Sequence, residues 1–206
     1  EKFDPFQRVG VYIPGGTAPL ASTTLMTVTL AKAAGCPEIV ACTPCDKNGE
    51  VNPDLLAALG QAGATEVYRV GGAQAIAALA CGTKTIRPVQ KIFGPGNAYV
   101  VAAKRLLFGR VSIDLLPGPS ELFVLADSNA NPAFAAADLL AQAEHGSGHE
   151  RVWLATTSNK LIADVQKEIE RQLPTLSRAD LIKKALKKNG WLIQVKNISD
   201  GIALAC

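Results

Sequence analysis

Apolar positions along the chain fall into two alternating patterns. Short runs rich in Val, Ile and Leu, continuous rather than every second residue, occupy 9–13, 38–43, 66–70, 91–93, 111–115, 122–126, 151–157 and 191–195. Continuous apolar runs suit parallel strands covered on both faces. Between them, apolar residues recur at helical spacing over 20–34, 53–62, 72–80, 97–108, 132–145, 158–172 and 178–188, and an apolar pattern resumes at 202–206. Asn52-Pro53 and Asn131-Pro132 each place a capping residue before a proline suited to the first helical position. Gly35, Gly63, Gly109 and Gly190 stand where helix C-caps belong. The alternation predicts an α/β fold built on parallel sheet.

Two stretches repeat this order. Val11, Gly35, Val40 and Thr43 match Val124, Gly148, Trp153 and Thr156 at a constant offset (124 − 11 = 113). Any two βαβ units share this look; the alternative is a weak internal duplication giving two similar domains. Leu116-Pro117-Gly118-Pro119 is the strongest turn signal in mid-chain, so the expected division is 1–117 and 118–206. In the second part, Ile162, Val165, Ile169 and Leu173 form a helical apolar stripe opposite charged residues. Lys183, Lys184, Lys187 and Lys188 read as a solvated face near a helix C-terminus, where cations are favoured.

Composition narrows the class. The 206 residues are 48% hydrophobic and 19% charged with a net charge of +3, which excludes disorder and gives no basic footprint for nucleic acid. Aromatic residues at 5% supply few stacking platforms for bases. Residues 9–31 carry no formal charge, yet Pro14, Gly15, Gly16, Pro19 and several Ser and Thr break them into strand, loop and helix rather than a membrane span. The first residues lack the basic and apolar regions of a signal peptide, so a soluble, cytoplasmic protein is expected. Cys42 and Cys45 form the sole CxxC among five cysteines, without the second pair a zinc ribbon needs. Free thiols are the expectation and a thioredoxin-like redox motif the alternative.

Three glycine-rich turns open helices: Pro14-Gly15-Gly16, Gly71-Gly72-Ala73-Gln74 and Gly94-Pro95-Gly96-Asn97. Backbone N–H groups at such turns bind phosphate or carboxylate, and in open α/β sheets they follow strand C-termini, where ligands sit. The dinucleotide fingerprint GxGxxG is absent: Tyr99 stands where the third glycine belongs. A second constellation is Gln142-Ala143-Glu144-His145-Gly146 at the end of a predicted helix. Gln142 and His145, three apart, share a face with Asp138, and an imidazole with an amide oxygen supplies two metal ligands; a helix-terminal histidine bonded to a carbonyl is the plainer reading. His149 reads as a loop residue. Ser120, in Gly118-Pro119-Ser120-Glu121, lacks the GxSxG elbow of a serine hydrolase and reads as a turn residue or a single substrate contact.

Together with Tyr12 in the segment Gly10–Gly16, Phe93 and Ile113-Asp114, these motifs, in this order from Val9 to about Ser158, closely resemble the histidinol dehydrogenase family. That resemblance implies two Rossmann-like open parallel-sheet domains without the glycine fingerprint. It also implies NAD- and zinc-dependent oxidation of an alcohol through the aldehyde to the acid, with two NAD consumed in succession. By position, Tyr12, Gln74 and Asn97 correspond to NAD contacts, Ser120 to a substrate contact, and Gln142 and His145 to zinc and substrate ligands. Zinc in the family chiefly positions the substrate. A Gly-Pro-Glu-His segment, whose His is the general base and whose Glu activates water, has no counterpart here, nor do the later Asp and His that complete the zinc site. Those groups are expected beyond Cys206, the chain reading as a fragment that is itself inactive, and the full-length protein as a homodimer. Leu106–Arg110 and Leu115–Pro117 look more like relatives that oxidise other small alcohols, such as sulfopropanediol dehydrogenases. The competing readings are therefore L-histidinol oxidation in histidine biosynthesis, oxidation of another small alcohol, and a nucleotide-binding module without catalysis.

Overall fold

The structure is a computed structural model and describes residues 4–15, 20–118, 120–145 and 150–206. The chain divides into two compact units, Glu1–Gly118 and Pro119–Cys206. No described helix is long and apolar enough to cross a membrane.

In the first unit, β1 (Arg8–Tyr12), β2 (Glu38–Thr43), β3 (Glu66–Arg69), β4 (Lys91–Phe93) and β5 (Ser112–Ile113) form one parallel sheet in the order β3-β2-β1-β4-β5. All five residues of β1 are buried. Val9, Val11 and Ile13 pack with Ile39, Ala41, Leu55 and Leu59 on one face, and Tyr12 with Val40, Ile76, Leu79 and Ile92 on the other. Burial on both faces is why the strand reads as an unbroken apolar run. The helices are α3 (Pro53–Ala62), α4 (Gly72–Cys81), α5 (Ala98–Leu107) and a segment after β1. The order reverses between β1 and β4, the doubly wound Rossmann arrangement whose crevice lies beyond the strand C-termini at that point.

The segment predicted as one helix over 20–34 is instead α1 (Ala21–Thr24), a π turn (Leu25–Thr29) and α2 (Leu30–Ala33). Thr27 Oγ1 donates to the Thr23 carbonyl at 2.7 Å, a side-chain bond that competes with the helical ladder within a β-branched run. The strand expected over 111–115 is cut to two residues because the Asp114 side chain turns back into the sheet edge. Gly63 caps α3 in the left-handed region at φ 101°, as its position predicts. Gly190 does not: at φ −91° it is the first residue of a strand, and a Cβ there would lie 2.6 Å from the Leu186 carbonyl oxygen.

In the second unit, β6 (Glu121–Ala126), β7 (Arg151–Thr156) and β8 (Gly190–Gln194) are parallel in the order β6-β7-β8. They repeat the arrangement of β1, β2 and β3, the structural counterpart of the sequence repeat. α6 (Pro132–Ala143), α7 (Asn159–Gln172) and α8 (Ala179–Asn189) supply Leu139, Leu140, Leu161, Val165 and Ile182 to a core shared with Val152 and Leu154. α9 (Ile198–Ala205) packs Gly201 against Leu125.

The N-terminal ends of β1–β3 are tied by charge. Arg8 is buried, and its guanidinium bonds both Glu66 oxygens (2.6 and 2.8 Å) and Glu38 (2.6 Å), while Arg87 reaches Glu38 at 2.8 Å. The Arg8 hydrogen bonds, with that of Tyr68, hold the Glu66 carboxyl at a pKa of about 2, below its ordinary 4.5. Glu66 thus stays ionised in the folded chain when the unfolded chain has taken up its proton. Its contribution to stability is complete above pH 4.5 and is lost as pH falls from there to about 2. Arg8→Met is expected to remove about 2 kcal/mol of stability and to flatten this acid limb. Urea unfolding of both proteins at a series of pH values measures it.

Candidate cofactor cleft and candidate metal-ligand pair

All five strands of the first sheet run parallel, so the turns after β1, β3 and β4 lie at one edge. Tyr12 closes β1, Gln74 lies in the first turn of α4, and Asn97 is the residue before α5. Contacts across the sheet edge bring these turns together. The buried Tyr12 hydroxyl accepts the Gly72 N–H at 3.0 Å, at the start of α4. Gly94, at φ 113°, presses on the Tyr12 backbone so closely that a Cβ would lie 2.1 Å from the Tyr12 carbonyl oxygen. Gly71 lies under Pro44, its Cβ position 2.7 Å from the proline Cβ.

Gly71 offers no side-chain cap; with the Gly72 N–H held by Tyr12, the remaining first-turn N–H groups and the positive dipole end of α4 are left for an anion. Asn97 caps α5, its Oδ1 accepting from Tyr99 N at 3.0 Å and Val100 N at 3.1 Å. Its carboxamide oxygen is thus committed to the helix, and the amide nitrogen is the part left for a ligand. Gln74 is exposed. The hydroxyl of Thr43, at the end of β2, is buried without a hydrogen-bond partner. Together the close backbone approach, the remaining N–H groups of the α4 start and the orphaned hydroxyl suit a phosphate-bearing dinucleotide. Gly16, in the first glycine turn, lies outside the described residues.

Beneath the turns sits a pair that sequence reasoning did not assign. Lys104 is buried to 1% exposure, and its Nζ donates to the Gly94 carbonyl at 3.0 Å and to the Asp114 carboxylate. Asp114 in turn accepts the Gly94 N–H at 2.8 Å and the Leu115 N–H at 2.7 Å. Ile113-Asp114 stands among the family motifs, but a lysine in the last turn of a helix reads as a surface cation.

The second site lies at the end of α6. Gln142 is the penultimate residue of the helix, and His145 N donates to the Gln142 carbonyl at 3.3 Å. That bond belongs to the backbone and does not decide how the side chain is used; the His145 side chain is exposed. The Gln142 amide nitrogen is buried without a hydrogen-bond partner. The unpaired nitrogen is a hydrogen-bond donor and suits a polar acceptor, whereas a metal would take the Gln142 Oε1 and the His145 imidazole, two ligands, fewer than a closed zinc site needs. Among the described residues no group of three His, Cys, Asp or Glu side chains could hold a metal ion; His149, Gly146 and Gly148 lie outside them. Asp138, on the same helix, instead lines a cleft of about 520 Å³ with Asp127, Asn131, Phe134 and Ile198, to which Gln142 and His145 do not contribute. Ser120 is exposed, one residue before β6.

The cysteines are free thiols, and burial pushes Cys42 up to about 12. Alkylation at neutral pH is expected to modify the exposed Cys45, Cys81 and Cys206 and to spare Cys42 until the chain unfolds, as peptide mass spectrometry would read out.

The parallel sheet and its strand order define a Rossmann-like α/β protein. The chain belongs to the histidinol dehydrogenase family, whose family model matches residues 1–205. It is 55% identical over 205 residues to a histidinol dehydrogenase from Bacteroides fragilis, covering 99% of this chain and 47% of that protein. The corresponding protein of Thermus thermophilus is 51% identical over 201 residues, covering 98% and 47%. The crystal structure of histidinol dehydrogenase from Elizabethkingia anophelis superposes with a TM-score of 0.92 at 44% identity, covering 98% of this chain and 46% of that one. The chain spans about half the length of the relatives it matches.

Proposed function

We propose that the full-length protein oxidises L-histidinol through the aldehyde to histidine, with NAD and zinc, as an oxidoreductase of histidine biosynthesis. The observation that carries this is the family match along residues 1–205, on a parallel sheet whose strand order reverses between β1 and β4. The relatives named above are histidinol dehydrogenases, which favours histidinol over sulfopropanediol or another small alcohol.

The first unit is the NAD-binding domain, and the second carries substrate and zinc ligands. Tyr12, Gln74 and Asn97 bind NAD: Tyr12 holds the α4 turn through its hydroxyl, Asn97 orients the α5 turn, and Gln74 projects from the first turn of α4. Ser120 would contribute a hydrogen bond to the substrate, and the Gln142 Oε1 and His145 imidazole are the groups of this chain that would hold zinc. When bound, NAD supplies the hydride acceptor and zinc the electrostatic anchor for the alcohol. Proton transfer is assigned to the part of the family's length that this chain does not span. We further assign the protein to the cytoplasm, as a homodimer. The test is NADH production by the full-length protein against a panel of alcohols that includes histidinol and sulfopropanediol, with zinc and with a chelator. Zinc-dependent turnover of histidinol is expected. Preference for another alcohol removes the substrate assignment, and no turnover with any of them removes the enzyme assignment.

A further inference from the structure

Lys104, buried, meets the partly exposed carboxylate of Asp114 at the turn after β4. Of the four polar contacts the pair makes, two fall on the backbone of Gly94. Lys104 Nζ binds the Gly94 carbonyl and Asp114; Asp114 binds the Gly94 N–H and, through its other oxygen, the Leu115 N–H. Both peptide groups flanking the Gly94 Cα are therefore held by one ion pair. That Cα is the point where the turn after β4 presses on Tyr12, whose hydroxyl in turn holds the start of α4. Three residues beyond Gly94 stands Asn97, the cap of α5.

An ion pair with one partner buried is a poor source of net stability, because desolvation of Lys104 offsets much of the attraction. What it does supply is one defined geometry, since a half-satisfied arrangement of these charges is strongly disfavoured. Its hydrogen bonds go to the backbone of a ligand-facing turn rather than only to each other. We propose that Lys104 and Asp114 are positioning residues for the dinucleotide: without touching it, they lock the Gly94–Asn97 turn and the Tyr12 backbone in the shape that receives NAD. This rests on the NAD-binding reading above.

The test uses the full-length protein carrying Lys104→Met, which keeps the length and apolar stem of the side chain, or Asp114→Asn, which keeps its shape and one acceptor. For each, NAD affinity is measured by calorimetric titration, together with kcat and the separate KM values for NAD and for histidinol. Lys104→Met is expected to weaken NAD binding and raise the KM for NAD about tenfold. The KM for histidinol, and kcat at saturating NAD, stay within about twofold. Asp114→Asn moves the same quantities in the same direction by a smaller factor. If the folded variants bind NAD as the unaltered protein does, or lose kcat with the NAD KM unchanged, the proposal is overturned. Should both variants fail to fold, the pair is a stability element and the proposal is equally overturned. If the unaltered protein itself binds no NAD, the NAD-binding reading fails instead, and that titration comes first.

Discussion

Replacing Gly94 by alanine is expected to destabilise the first unit by about 3 kcal/mol or more and to abolish NAD binding. Two effects add at this residue. Its φ of 113° is a conformation that side-chain-bearing residues rarely adopt, and a Cβ would lie 2.1 Å from the Tyr12 carbonyl oxygen and 3.2 Å from the Tyr12 nitrogen. The obstacle is backbone at the centre of the sheet, where β1 pairs with both β2 and β4, so it cannot swing aside as a side-chain tip would. Relief requires β4 and its turn to move away from β1, which opens the switch point itself. Gly109 provides the control: its φ is 93°, but nothing lies within 4 Å of a Cβ there. Gly109→Ala is therefore expected to lose about 1 kcal/mol, the conformational part alone, and to leave NAD binding intact. Equilibrium unfolding in urea, paired with NAD titration, separates the two. Equal effects at both positions would remove the argument that close approach of β1 and β4 shapes the cleft.

The second large effect is expected at His145. In the full-length protein, His145→Asn should lower kcat for histidinol by about 100-fold or more and reduce bound zinc, with unfolding stability changed by less than about 0.5 kcal/mol. The separation of effects follows from placement. His145 lies beyond the end of α6 with its side chain exposed, and the contact it makes with Gln142 is through its own backbone N–H, which asparagine retains. Removing the imidazole therefore takes away a ligand without leaving a cavity. Metal analysis beside the kinetics distinguishes lost zinc from lost chemistry. Full zinc content and unaltered turnover would remove His145 from the site. Gln142→Ala makes a useful contrast, because that side chain is partly enclosed and its amide nitrogen is buried.

Much of this was legible along the chain, for a physical reason. Parallel strands covered on both faces leave unbroken apolar runs, and Asn52, Asn131 and Asn97 announce helix starts through bonds that are local in sequence. The three glycine turns were visible for the same reason, because strand, turn and helix follow one another directly. Contacts made across the fold were hidden. Lys104 reads as a cation suited to the end of a helix until β5 brings Asp114 against it. Arg8 meets Glu38 and Glu66 only because β1 lies beside β2, and β2 beside β3, with Arg8 opposite Glu38 and Glu66 opposite Val40. The π turn in 20–34 depends on one hydroxyl bond that no periodicity encodes. At the metal pair, spacing put Gln142 and His145 near one another, but only the fold shows the amide left without a partner and Asp138 turned to a separate cleft.

The account turns on an alcohol being oxidised through two successive hydride transfers to NAD bound at the β1–β4 switch point. Its most direct test is the NADH yield of the full-length, zinc-loaded protein given limiting histidinol and excess NAD. The account predicts two NADH for each histidinol consumed, with histidine as the product. A yield of one, with the aldehyde accumulating, or no NADH at all would contradict it.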